Sequence, residues 1–141
     1  MSAWKKQVLE TLPEYRQLIE ESETPMALWV ELTCRFSIDY KNLGDDLIGR
    51  FYKYAKWCLE SSNQGNYRSD AGTAAWCAFY EHLTDGEAIQ ADVHRWLSKE
   101  DFLKLEGAFR YHLEPKEYEE FKAYFLENRA KFLQQIPKSK K

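Results

Sequence analysis

Apolar positions recur every three or four residues along nearly the whole chain, and no stretch alternates convincingly as a strand would. That period predicts helices, and caps and breakers divide them. Residues 1–22 read as one helix before Pro13 and a second after it, because proline suits a first turn and breaks an interior. Thr24-Pro25 sets a capping hydroxyl before a proline at the first helical position; the helix it opens runs to about Asn42 and ends at Gly44. Its expected apolar stripe is Met26, Trp29, Val30, Thr33, Phe36 and Tyr40, with Glu31, Arg35 and Asp39 as a solvated line of charge on the other side.

Asp45-Asp46 open the next helix, where carboxylates meet the positive end of the helix dipole. Leu47, Ile48, Phe51, Tyr52, Ala55, Cys58 and Leu59 form its inner side. The polar run SSNQGNYRSD, residues 61–70, is the longest loop signal and reads as a mobile surface segment. Asp70 caps a third helix of about 71–83. Thr84-Asp85-Gly86-Glu87 has the form of a capping box, with Thr84 at the cap and Glu87 three residues on. It opens a short segment through Ala91, and Asp92 restarts a turn through Trp96. Ser98 with Asp101 caps a helix of about 99–113. Glu114-Pro115 opens the last long helix, which carries Tyr118, Phe121, Phe125, Phe132 and Leu133 on one side.

The fold class expected is all-α: one helical domain over 1–141, a compact bundle of six to eight helices with a basic tail at about 137–141. A short superhelix of helical hairpins is the variant. Trp29, Trp57, Trp76 and Trp96 are spaced by 28, 19 and 20 residues, which gives no solenoid period and favours the bundle.

Composition changes the picture in three ways. The chain has 141 residues, 44% of them hydrophobic, so it can bury about 70% of its unfolded surface without a disulfide or metal staple. Aromatics make up 16%: five Trp, nine Tyr and eight Phe. Tyr15, Tyr40, Tyr54, Tyr67, Tyr111, Tyr118 and Tyr124 are too many for one core, and tyrosine is enriched at protein interfaces. The net charge of −3 opposes a nucleic-acid backbone as partner. A membrane is not expected either. No apolar run approaches the ~18 residues of a span, and MSAWKKQVLE is not followed by the apolar core of a signal peptide. Cys34, Cys58 and Cys77, with no C-x-x-C among them, read as reduced thiols of a cytoplasmic protein.

The pattern Ala-x-Trp-Cys occurs twice, at 55–58 and 74–77. Zinc sites use cysteines two to four apart, so this repeat is read as packing rather than ligation. Cys58 falls on an inner stripe. Ala74, Cys77 and Ala78 make a narrow small-residue face, and Trp76, Phe79, Tyr80 and Leu83 a broad aromatic one. Both thiols are therefore expected as buried filler.

His82, His94 and His112 are the groups whose ordinary pKa lies near neutrality. His82 and His112 fall near helix C-termini, where an imidazole can bind the last carbonyls. Glu81 is expected half-buried against Arg50 or Arg95, and Arg129 at the rim of an apolar stripe. Glu117, Glu119, Glu120 and Glu127 read as solvated helix faces. The sequence has no phosphate-binding glycine loop, no dinucleotide fingerprint and no nucleophile elbow. It singles out no catalytic, cofactor-binding or metal-ligating residue, and implies no cofactor.

Y-A-x-W-C-L at 54–59, F-Y-E-H-L at 79–83 and R-W-L-S at 95–98 resemble signature stretches of a family of small bacterial helical proteins of unknown function. The resemblance covers about residues 15–130. It implies a bacterial cytosolic source and brings no activity, cofactor or catalytic residue with it. The expected function is a non-catalytic protein–protein interaction; by analogy with small acidic helical proteins of bacteria, an immunity- or antitoxin-like partner is one form of it. The alternative is a small-molecule or metal-dependent enzyme built on Glu81, His82, His94 and His112, which requires those side chains to converge in a cleft.

Overall fold

Three of the expected caps hold their helices in the computed structural model, which describes residues 2–61 and 70–135. Thr24 Oγ1 accepts from Ala27 N at 3.1 Å, Asp70 Oδ1 from Gly72 N at 2.8 Å and Thr73 N at 3.2 Å, and Ser98 Oγ from Asp101 N at 3.0 Å. Each satisfies backbone donors that the first helical turn leaves unpaired. The expected loop falls almost entirely outside the described residues, as does the basic tail.

The fold is all-α, and the described residues form nine α-helices joined by short links and 3₁₀ turns. Cα packing divides the chain into two compact units, Met1–His82 and Leu83–Lys141. The first holds α1 (Ala3–Thr11), α2 (Arg16–Glu21), α3 (Pro25–Asp39), α4 (Asp45–Glu60) and α5 (Ala71–Ala78). The second holds α6 (Glu87–Trp96), α7 (Lys99–Lys104), α8 (Glu106–Arg110) and α9 (Pro115–Gln135).

In the first unit α5 lies against α3 and α4. It buries Gly72, Ala74, Ala75 and Ala78, a face so small that two neighbours can approach it closely. The space this leaves at its end is filled by rings. Trp29 stacks on Tyr54 with centroids 5.3 Å apart and meets Phe79 at 4.9 Å; Phe36 meets Phe51 at 4.9 Å and Phe79 at 5.2 Å. Burying each such side chain contributes about 1.5–3 kcal/mol. Phe102 is the centre of the second unit, 4.1 Å from Phe125, 4.9 Å from Phe109 and 5.5 Å from Phe121. Ile89, Val93 and Leu97 complete that core.

Seven expectations need correction. The helix that Asp70 caps ends at Ala78 and not near residue 83, and Glu87–Trp96 is one helix with no restart at Asp92. On α3 the expected Trp29 and Phe36 and, just past its end, Tyr40 are buried, but Pro25, Leu28 and Leu32 complete the stripe, Met26 and Thr33 are half-buried, and Val30 is 48% exposed. At 100° per residue, Leu28 and Leu32 turn the face by roughly a fifth of a turn from the expected one. On α5 the buried face is Ala74, Ala75 and Ala78, so Cys77 and Trp76 are half-buried. The capping box is not formed: α6 starts from Gly86, and Thr84 is buried with its Oγ1 unbonded among the described residues. The helix of about 99–113 is broken at Leu105, where i to i+3 bonds (Leu105 N to Phe102 O, 3.0 Å; Ala108 N to Leu105 O, 2.9 Å) enter the ladder. Finally, burial along the expected side of α9 is uneven: Tyr118, Phe121 and Phe125 are buried, Phe132 is half-buried and Leu133 is 50% exposed.

Candidate functional site

Each unit carries chemistry-bearing residues of its own. In the first, Arg50 is the strongest charged node. Its Nη1 and Nη2 bind the two carboxylate oxygens of Glu14 at 2.7 and 2.5 Å, its Nε binds Asp46 Oδ2 at 3.0 Å, and Nη1 also reaches the Thr11 carbonyl at 3.0 Å. This planar fork ties the end of α1 and the 3₁₀ turn after it to α4, a geometry for which arginine is suited and lysine is not. The hydrogen bond from Arg50 holds Glu14 below the usual carboxylate range, and Arg50 is raised in turn. Glu81 is half-buried as expected, but Arg50 is taken by Glu14 and Asp46, and Arg95 lies by Asp92 at 3.9 Å.

The three thiols differ. Cys58 is buried, and burial pushes it up to about 11 against the opposing pull of the Trp29 and Tyr54 side chains. Half-buried Cys77 is raised as well, by burial and then by Glu81. Cys34 is exposed. Raised thiols carry little thiolate at neutral pH, which fits packing and not nucleophilic work for Cys58 and Cys77. His82 lies in the 3₁₀ turn Tyr80–His82, its N–H donating to the Phe79 carbonyl at 3.1 Å.

In the second unit His94 and His112 have different surroundings. The His94 ring on α6 packs edge-on to Tyr124 and Phe132 of α9, and burial lowers its pKa. His112, beyond the end of α8, is exposed and sets Nδ1 3.2 Å from Asp85 Oδ1. Arg129 does more than sit at a rim. Its Nη1 donates to the His94 carbonyl at 3.0 Å, close to the C-terminal end of α6, and its guanidinium lies over Phe132. An arginine satisfying a late carbonyl closes a helix end that has no residue beyond it to do so. Across α8 and α9, Glu106 accepts from the Tyr118 hydroxyl and from Lys122 Nζ at 3.1 Å, and these bonds hold it below the usual carboxylate range.

The sequence reading missed the groove between α6 and α9. Its volume is about 300 Å³, and its walls are Glu87, Gln90 and Ala91 of α6, then Leu113 of the preceding turn, then Glu117, Glu120, Phe121 and Tyr124 of α9. The spacing explains the placement. Residues 87, 90 and 91 share one face of a helix, and so do 117, 120, 121 and 124. Ala91 is small enough to leave a gap, and the Tyr124 hydroxyl fixes the far wall by donating to the Ala91 carbonyl at 3.3 Å. Three carboxylates therefore stand beside Leu113, Phe121 and Tyr124, and among the described residues no lysine or arginine is in the lining. Glu117 also accepts from Glu114 N at 2.8 Å, so its carboxylate is held at the start of α9. The signal was present in the sequence as glutamates interleaved with Phe121 and Tyr124 at helical spacing. Nothing in it said that the glutamates of α6 would face them.

A second hollow, of about 310 Å³, is lined by Glu14, Tyr15, Gln17, Leu18, Glu21 and Arg35. There Glu14 is already neutralised by Arg50, and Arg35 adds a positive charge, so no single ligand charge is favoured. Compared with known proteins, the chain matches no family model, no curated protein and no solved structure. Among the described residues no helix is long and apolar enough to cross a membrane.

Proposed function

We propose that this protein works by binding another protein, with the α6–α9 groove receiving a basic segment of that partner. The observation that carries the reading is the lining of the groove: Glu87, Glu117 and Glu120 stand around Leu113, Phe121 and Tyr124, and among the described residues no lysine or arginine lines it. Carboxylates alone would be a solvated rim. Beside those apolar and aromatic groups they suit a side chain with an aliphatic stem and a cationic head, as lysine and arginine have. At about 300 Å³ the groove is at the low end for a small-molecule site. That volume has room for one or two anchoring side chains of a partner.

With this reading goes a bacterial, cytoplasmic setting. Its supports are the three free cysteines and the stretches 54–59, 79–83 and 95–98 that suggested such a family. Nucleic acid does not fit a groove of this sign, since phosphate would meet three carboxylates.

Isotope-labelled protein titrated with a short Arg- and Leu-containing peptide tests the proposal. The amide signals of Gln90, Ala91, Leu113 and Tyr124 are expected to shift together, and the shifts to shrink in Glu87→Gln/Glu120→Gln. Shifts scattered over the surface, or unchanged in that variant, overturn it.

A further inference from the structure

The rotated core face of α3 has a consequence on the helix's other side. With Leu28, Trp29, Leu32 and Phe36 turned inward, Ala27, Val30, Cys34 and Ile38 are left outward, spaced by three, four and four residues, all exposed. Val30 is 48% exposed and Ile38 79%. The outermost line of a helix at the surface is ordinarily its most polar. Here it is apolar over three turns, and the charges stand to one side: Glu31 and Arg35, one turn apart on the same flank, both exposed.

We propose that this face is where a second copy of the chain docks, with the two α3 helices antiparallel about a two-fold axis beside Cys34. The match comes from the order of the residues. A two-fold axis at that point sets Val30 against Ile38 of the second copy, and Ile38 against its Val30. Cys34 then faces Cys34 of the second copy on the axis. The same operation brings like flanks together, so Glu31 of each copy comes beside Arg35 of the other. Every contact off the axis is made twice, as an isologous interface requires. A parallel two-fold pairing would instead leave the two Glu31–Arg35 flanks on opposite sides of the seam, and neither charge would meet its opposite. One helix face buries less surface than a standard stable interface, so the pair is a weak dimer that forms with concentration. The inference stands apart from the α6–α9 groove, which lies on other helices.

Sedimentation equilibrium on the full chain under reducing conditions tests it. Wild type is expected to show a concentration-dependent monomer–dimer equilibrium. Ile38→Asp should weaken the dimer at least tenfold while leaving the circular dichroism melt in place, because that side chain has little to lose on the monomer. Glu31→Arg and Arg35→Glu should each weaken it several-fold, and the double swap Glu31→Arg/Arg35→Glu should return it close to wild type. Mild oxidant should then link wild type, and not Cys34→Ser, into a disulfide dimer, two thiols giving up two protons and two electrons to the added reagent. A chain that stays monomeric at the highest attainable concentration overturns the proposal. So does a dimer indifferent to Ile38→Asp, or one that the double swap fails to restore.

Discussion

The two units of the chain solve the same packing problem differently. In Met1–His82 a helix of small residues, α5, lets α3 and α4 close around it, and large rings fill the remaining space. Charge is confined to a fork outside that core, where Arg50 holds Glu14 and Asp46. In Leu83–Lys141 short helices lean on one long one, and the phenylalanine cluster around Phe102 takes in Phe121 and Phe125 of α9. Polar groups there do structural work within the helix contacts themselves: Arg129 on the His94 carbonyl, Glu106 between Tyr118 and Lys122. A closed core leaves a single outer face to spare. The α6–α9 contact leaves a groove. The difference teaches that surface for binding arises here from the side chains at a helix contact: small Ala91 leaves a gap beside α9, and the turned core face of α3 leaves an apolar line outside.

The largest test of this contrast is to empty each core. Phe36→Ala and Phe102→Ala should each cost about 3–5 kcal/mol in urea unfolding, since both rings are fully buried and neither neighbourhood is loose. A cost below about 1 kcal/mol for Phe102→Ala would mean that the second unit is not built around it.

Next comes the fork. Arg50→Met should cost about 1–2 kcal/mol, from the lost charged hydrogen bonds and the Thr11 carbonyl left without its donor. The pH dependence has a definite sign. Glu14 is held below its ordinary value of 4.5 in the folded chain, so the unfolded chain takes up its proton first as the solution is acidified. The stability due to the fork is full above about pH 4.5, and it is lost as pH falls through the lowered folded value. In Arg50→Met the acid limb of the stability curve should flatten. An unchanged limb would show that the fork contributes nothing.

Smaller, and nearer neutrality, is His94. Burial lowers it from 6.5, so the folded chain resists a proton that the unfolded chain accepts. Stability should therefore decline as pH falls from about 6.5, and His94→Phe should remove that part of the decline. The first unit would then lose stability in the acid range and the second begin to do so closer to neutral. Thermal melts across pH on wild type and the two variants separate these limbs, and identical profiles would erase the distinction.

Much of this architecture could be read from the residues. Thr24, Asp70 and Ser98 announced their helices because a cap is a local event, decided by a hydroxyl or carboxylate and the three amides beyond it. Thr84 misled because its box competes with burial: the residue is drawn inside, and α6 begins two residues later, at Glu87. The face of α3 was misjudged for another reason. Periodicity gives an amphipathic axis, but Leu28 and Leu32 against Val30 and Thr33 differ by a rotation that only the neighbouring helices settle. The groove was the least legible of all. Glu87 and Glu120 are 33 residues apart, and each by itself is an ordinary solvated glutamate. Likewise Glu81 was expected against Arg50 or Arg95, whereas Arg50 takes Glu14 and Asp46, because contacts between helices are not encoded in local spacing.

The most direct test of the central claim is calorimetric titration of wild type and Glu87→Gln/Glu120→Gln with the same Arg- and Leu-containing peptide, at low and at high salt. The account predicts measurable binding that weakens as salt rises, a loss of roughly threefold to thirtyfold in the variant, and a smaller salt dependence once two of the three carboxylates are gone. Equal affinity in the two proteins, with the same response to salt, would contradict it.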